Sequence, residues 1–266
     1  MEVDNVKITA IQAQKRKGRY NIFIDGHYRF PVSDEVLIQF RLHKDQEITN
    51  DQIQAITDAD SISKAYNKAL DYLSYQLRTE KEIIQYLQQH EFTDLQIEPV
   101  LQRLRTQGYI NDLEYAKSYV RTIAKTSDKG PKVITQNLRK KGVLENDIET
   151  ALDEFPFEDQ LQNSIKIAQK LARKYHRKAF KIQIQKIKNG LFAKGFSSEI
   201  ATEAINQLGL EKDEDQEKEQ LHLQGAKIMR RYQRLPLSQR NQKVKMALYR
   251  KGFSMDEINQ FIDEQN

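Results

Sequence analysis

The 266-residue sequence predicts a mainly α-helical protein of tandem three-helix repeats, an elongated, curved array preceded by a small N-terminal β-hairpin domain. Three observations point there. Only 38% of residues are hydrophobic, 30% are charged and tryptophan is absent, so cores must be thin stripes on small helical units rather than one large globular centre. The phrases "LRKKGV" (138–143), "LFAKGF" (191–196) and "LYRKGF" (248–253) recur in register, which marks a repeat. Near the start, "RYNIFIDGHYRFPVS" alternates with period two around Asp25-Gly26, the pattern of a hairpin closed by a tight turn.

Taken in order, residues 1–60 form the β-rich domain. "VKITAIQAQ" supplies a third strand through the basic turn "KRKGR" at 15–19. Ser33 caps a short helix whose first turn holds Asp34 and Glu35 and whose inner face is Val36, Leu37 and Phe40. The period then becomes helical, and four repeats are expected at 61–109, 110–158, 159–210 and 211–266, the last entered through the acidic linker "LEKDEDQEKE".

Aligning Gly142, Gly195 and Gly252 aligns the rest of each copy. Ile134, Ile187 and Val244 precede Leu138, Leu191 and Leu248; Val143, Phe196 and Phe253 follow the glycine. A further helix then buries Ile148, Ala151 and Leu152, or Ala201, Ala204 and Ile205, or Ile258, Phe261 and Ile262. The first copy fits the register through Ile83, Leu87, Phe92, Ile97, Val100 and Leu101, with Glu91 in the glycine position. Glycine there ends a helix in the left-handed region that other residues enter at a cost. Thr93, Ser197 and Ser254 open the next helix, the first and last within a capping box. Leading helices are expected at 65–77, 113–125, 160–175 and 219–232. A unit of three short helices leaves apolar faces open, so neighbours stack, each adding roughly 20 Å at normal helix spacing.

Charge is segregated. The net charge is +5, yet no acid lies between Gln160 and Ser198 or between Gln220 and Met255, whereas basic residues crowd both stretches. Such a field suits an anionic partner, either nucleic acid or an acidic protein groove. The candidate contacts are Arg121, Lys132, Arg139 and Lys140 in the second repeat and Arg173, Lys174, Arg177, Lys178 and Lys181 in the third. Arg230, Arg231, Arg234, Arg250 and Lys251 complete them in the fourth.

Enzyme chemistry has little footing. The five histidines have no metal-ligand spacing, no carboxylates form an evident acid–base pair, and no phosphate-binding glycine pattern is present. No catalytic residue, metal or cofactor is expected. Without cysteine, a spanning apolar run or a secretory signal, the chain reads as soluble and cytoplasmic, with no membrane partner.

Three stretches carry a resemblance to a known family. "QLRTEKEIIQYL", "LRTQGYINDLEYAKSYV" and "KGPKVITQNLRKKGV" resemble the signature of RecX, with Arg78-Thr79 and Glu82, Gly108 to Asp112 with Tyr115 and Ala116, and Lys129-Gly130 leading to Lys141-Gly142. The close match covers roughly residues 65–210; the hairpin domain and the fourth repeat resemble those of the family's longer members. The resemblance implies a non-enzymatic regulator that docks in the groove of the RecA filament on DNA. It inhibits RecA strand exchange, ATPase and coprotease activity, and so modulates recombination, DNA repair and the SOS response. The residues themselves also allow a sequence-nonspecific binder of single- or double-stranded DNA acting alone through its basic three-helix modules, or a helical scaffold for another protein.

Overall fold

The structure is a computed structural model that describes residues 5–265. It divides into two compact units, residues 1–116 with 139–147 and residues 117–138 with 148–266.

The first unit opens with an antiparallel sheet ordered β3-β2-β1-β4, from β1 (Asn5–Ala13), β2 (Arg19–Ile24), β3 (His27–Ser33) and β4 (Glu47–Thr49). The β2–β3 turn has positive φ at both Asp25 (47°) and Gly26 (83°), the mirror-image turn whose twist matches a hairpin. Ile8, Ile22, Ile24, Phe30, Val32 and Ile48 bury one face. Against them lies Val36 of α1 (Asp34–Gln39), capped by the Ser33 hydroxyl, which accepts from the Val36 N–H at 3.3 Å. The three-residue β4 escapes sequence reading because it is too short to show alternation; Ile48 pairs with Val6.

Helix α2 (Asn50–Leu73) corrects the expected leading helix at 65–77. It starts 15 residues earlier than expected, in a capping box in which Thr49 and Gln52 bond reciprocally, and Leu77 lies outside it, 61% exposed. Its apolar stripe changes partners midway. Ile53 and Ile56 pack on the sheet core, while Ala65, Tyr66 and Ala69 join the core formed with α3 (Glu80–Gln89) and α4 (Asp94–Thr106). A stripe divided between two cores hides the continuity of one helix. Asp60, 2% exposed, secures the join: Arg19 donates two bonds to its carboxylate, at 2.6 and 3.1 Å, and the Ser33 N–H a third at 2.8 Å.

The remaining helices are α5 (Asp112–Thr126), α6 (Pro131–Lys140), α7 (Glu145–Leu152), α8 (Phe157–Tyr175), α9 (Phe180–Ala193), α10 (Ser198–Gln207), α11 (Glu214–Arg231), α12 (Leu237–Arg250) and α13 (Met255–Glu264). The aligned apolar positions are core: Ile134, Leu138, Ile148, Ile187, Leu191, Phe196, Val244, Leu248 and Ile258 are buried. Gly142, Gly195 and Gly252 have φ of 89°, 92° and 97°, and Glu91 takes the same left-handed turn at 66°. After the stop the chain folds back, as when the Phe196 N–H donates to the Leu191 carbonyl at 3.1 Å.

The glycines also sit where no side chain fits. A Cβ on Gly142 would lie 2.7 Å from Cβ of Lys81, and one on Gly252 would lie 2.4 Å from Cγ1 of Ile182. Lys81 and Ile182 are in the first turns of α3 and α9, so the end of one repeat's second helix rests on the start of the preceding repeat's second helix.

Candidate interaction surface

The fourteen basic candidates are all exposed. Most gather where one helix ends and the next begins, because cations complement the negative end of a helix dipole and turns face water. In the third repeat Arg173 and Lys174 occupy the last turn of α8, Arg177 and Lys178 the connection, and Lys181 the first turn of α9. The fourth repeat reproduces this corner with Arg230 and Arg231 in the last turn of α11 and Arg234 in the connection. Among the described residues none of these eight forms an ion pair. Lys174 instead lies over the ring of Tyr175, 5.4 Å from its centroid.

Others are held by the chain. Arg121 pairs with Glu154 at 3.1 Å. Arg139 grips Glu145 with Nε at 2.8 Å and Nη2 at 2.5 Å, which raises the guanidinium pKa further and holds the carboxylate below its usual range. Lys132 and Lys140 are exposed at the two ends of α6.

The lysine before each repeated glycine shows what the tertiary structure adds. Lys141 reaches Glu82 at 2.7 Å, and Lys194 reaches Asp128 at 2.5 Å. Burial opposes the charge on Glu82, but hydrogen bonds from Lys141 and the Thr79 N–H outweigh it and hold the carboxyl below its ordinary pKa. Lys251 holds the same place in the fourth repeat, exposed and without an ion pair among the described residues. Next to it, Gly252 lines one crevice with Phe180, Lys181, Ile182 and Tyr249. Lys181 of the third repeat's basic corner and the Tyr249 and Gly252 end of α12, far apart in sequence, thus line one crevice.

Two features went unseen in the sequence. Phe192 and Tyr249 are exposed aromatics beside these basic residues, with Lys188 5.9 Å from the Phe192 centroid. Their signal was the residue after the repeated Leu. Glu217, within an acidic run that reads as solvated, is 7% exposed and accepts the Phe180 N–H at 2.9 Å; burial pushes its pKa up. Histidine is dispersed, and among the described residues no group of three or more His, Cys, Asp or Glu is placed to hold a metal. Nor is any described helix long and apolar enough to cross a membrane.

The fold defines the class: a tandem three-helix-repeat protein headed by a small antiparallel sheet. Residues 6–49 match the family model described as the regulatory protein RecX N-terminal domain, 65–104 the first RecX three-helix domain and 111–152 the second. The third three-helix domain matches twice, at 158–205 and 214–262. A regulatory protein RecX of Levilactobacillus brevis is 49% identical over 96% of both chains. One of Bacillus subtilis is 40% identical over 97% of this chain and 98% of that one. A crystal structure of a regulatory protein RecX superposes with a TM-score of 0.71 at 48% identity, covering 76% of this chain and 99% of that one. The chain belongs to the RecX family of regulatory proteins.

Proposed function

We propose that this regulator binds the RecA filament on DNA and inhibits RecA strand exchange, ATPase and coprotease activity, acting in the cytoplasm without catalysis or a cofactor. The observation that carries the reading is the repeated basic corner. Arg173, Lys174 and Arg177 in one repeat, and Arg230, Arg231 and Arg234 in the next, are exposed and form no ion pair among the described residues. Equivalent patches on successive repeats suit successive equivalent sites on a filament, and contact at several sites multiplies weak affinities.

The test is strand exchange by RecA with wild type and an Arg173→Glu, Lys174→Glu, Arg177→Glu variant. Wild type is expected to inhibit at well below one molecule per RecA subunit, and the variant to need at least about tenfold more, a loss of about 1.4 kcal/mol. Unchanged inhibition removes this corner from the interface. The same exposed arginines also suit phosphate, which favours a second reading as a sequence-nonspecific nucleic-acid binder. That reading requires affinity for DNA alone to fall with salt by about one unit of logarithmic slope per phosphate neutralised; a shallow slope rejects it.

A further inference from the structure

The second helices of the last three repeats differ in charge from the helices around them. No acidic residue occurs in α6, α9 or α12, whereas every other described helix carries at least one. The three also follow one another end to start. A Cβ on Gly252, just past α12, would lie 2.4 Å from Cγ1 of Ile182 at the start of α9, and one on Gly195, just past α9, would lie 2.7 Å from the Val133 nitrogen at the start of α6. A segregation of charge that is diffuse along the chain becomes one acid-free row of helices.

Two aromatic rings stand clear on that row. Lys181, Gln185, Lys188 and Phe192 fall at i, i+4, i+7 and i+11, which is one face of α9. Phe192 is 41% exposed, and Lys188 Nζ lies 5.9 Å from its centroid. Tyr249, in the place of Phe192 in the next repeat, is 56% exposed and lines a crevice with Lys181; Lys245 precedes it by one turn of α12. The order along the row is Lys245, Tyr249, Lys181, Gln185, Lys188, Phe192, with roughly 16 Å of helix between Lys181 and Phe192. Among the described residues Lys181, Lys188 and Lys245 form no ion pair. Lys194, at the end of α9, is taken by Asp128 at 2.5 Å.

We infer that this row binds an unpaired nucleic-acid strand, with bases stacked on Phe192 and Tyr249 and phosphates met by Lys181, Lys188 and Lys245. Rings that alternate with free cations match what a single strand presents, a π face at each base and a charge at each phosphate. In a duplex the base faces already stack on one another, so the rings would gain nothing. A carboxylate-rich protein surface satisfies the lysines but sets negative charge against the negative faces of both rings. The site rests on the nucleic-acid reading given above and adds to it the kind of strand and the residues that hold it. These differ from the Arg173, Lys174 and Arg177 set that strand exchange tests.

The test is fluorescence anisotropy of a labelled oligothymidylate with the full chain, against the same strand lacking its bases and against a duplex, all at one salt concentration. The thymidylate strand is expected to bind at least about tenfold more tightly than the abasic one, the worth of one stacked base. Phe192→Ala and Tyr249→Ala should each weaken binding of the thymidylate strand about tenfold, while binding of the abasic strand and the logarithmic salt slope stay unchanged. Phe192→Trp and Tyr249→Trp should keep the affinity. Their fluorescence, in a chain with no other tryptophan, should be quenched by the thymidylate strand and not by the abasic one. Oligouridylate in the same assay tells RNA from DNA as the source, and a preference for bases over bare backbone with either sugar supports the site. Alanine variants that bind as wild type does, or tryptophans that are not quenched, overturn it. Equal, salt-dependent binding of thymidylate, abasic strand and duplex removes the stacked strand alone and leaves general nucleic-acid binding standing; no binding to any of them removes both.

Discussion

Gly195 lies against the backbone of Val133: a Cβ on the glycine would come within 2.7 Å of the Val133 nitrogen, while the Lys132 N–H donates to the Gly195 carbonyl at 3.1 Å. The glycine that stops α9 is therefore also the surface on which α6 begins. Helix termination and repeat stacking are met by one residue, which explains why the phrase around it recurs.

Replacing Gly195 with alanine should therefore cost more than left-handed strain alone. Gly209 is the control, since it has φ of 55° with nothing within 4 Å of a Cβ. Gly209→Ala should cost about 1 kcal/mol, whereas Gly195→Ala should cost about 3 kcal/mol or more, because backbone must move. Urea denaturation midpoints of the two variants measure the difference.

Glu91 offers the converse. It holds the left-handed turn at 66° as a non-glycine residue and is exposed. Glu91→Gly should relieve about 1–2 kcal/mol of strain and return part of it through the greater entropy of glycine in the unfolded chain. A net gain of about 0.5–1 kcal/mol is expected. A lowered melting temperature for the first unit would contradict it.

The Glu82–Lys141 pair predicts a pH profile. Glu82 is held below its ordinary value of 4.5, so its contribution is present above that value and lost as pH falls through the lower folded pKa. Burial works against Lys141, yet the hydrogen bonds its ammonium donates to Glu82 and Tyr115 raise it above 10.5; its contribution is present below 10.5 and lost as pH rises through the raised value. The pair is part-exposed, so it is worth no more than about 1 kcal/mol. The stability difference between wild type and Lys141→Met should peak between those limits and close beyond both, which a series of melts across pH records.

Arg19→Met should strip Asp60 of its two-pronged partner while Asp60 stays buried. An uncompensated buried carboxylate costs about 3 kcal/mol. Hydrogen exchange should quicken first at Ser33, whose N–H bonds Asp60, and then through the β2–β3 hairpin. Equal exchange rates in the two proteins would show that Lys64, 2.9 Å from Asp60, suffices alone.

Local chemistry made the repeats legible. A glycine with left-handed φ, a Leu four residues before it and an aromatic just after are demands of one helix end, so residues such as Leu191, Gly195 and Phe196 announce their roles without a partner. The hairpin was equally plain, because Asp25-Gly26 is a local turn. Helix α2 was misread at its start because Ile53 and Ile56 serve one core and Ala65 and Ala69 another, a division that no single periodicity displays.

What the sequence determined by itself, then, is the three-helix unit, its fourfold repetition and the segregation of charge, all set by contacts within a turn or two. Only the tertiary structure decided which basic residues are free. Lys141 and Lys251 hold the same place in "LRKKGV" and "LYRKGF", yet Lys141 is held by Glu82 at 2.7 Å while Lys251 is exposed and without an ion pair among the described residues. Whether a side chain meets an acid or water depends on which repeat lies against it, and that is set by packing between residues far apart along the chain.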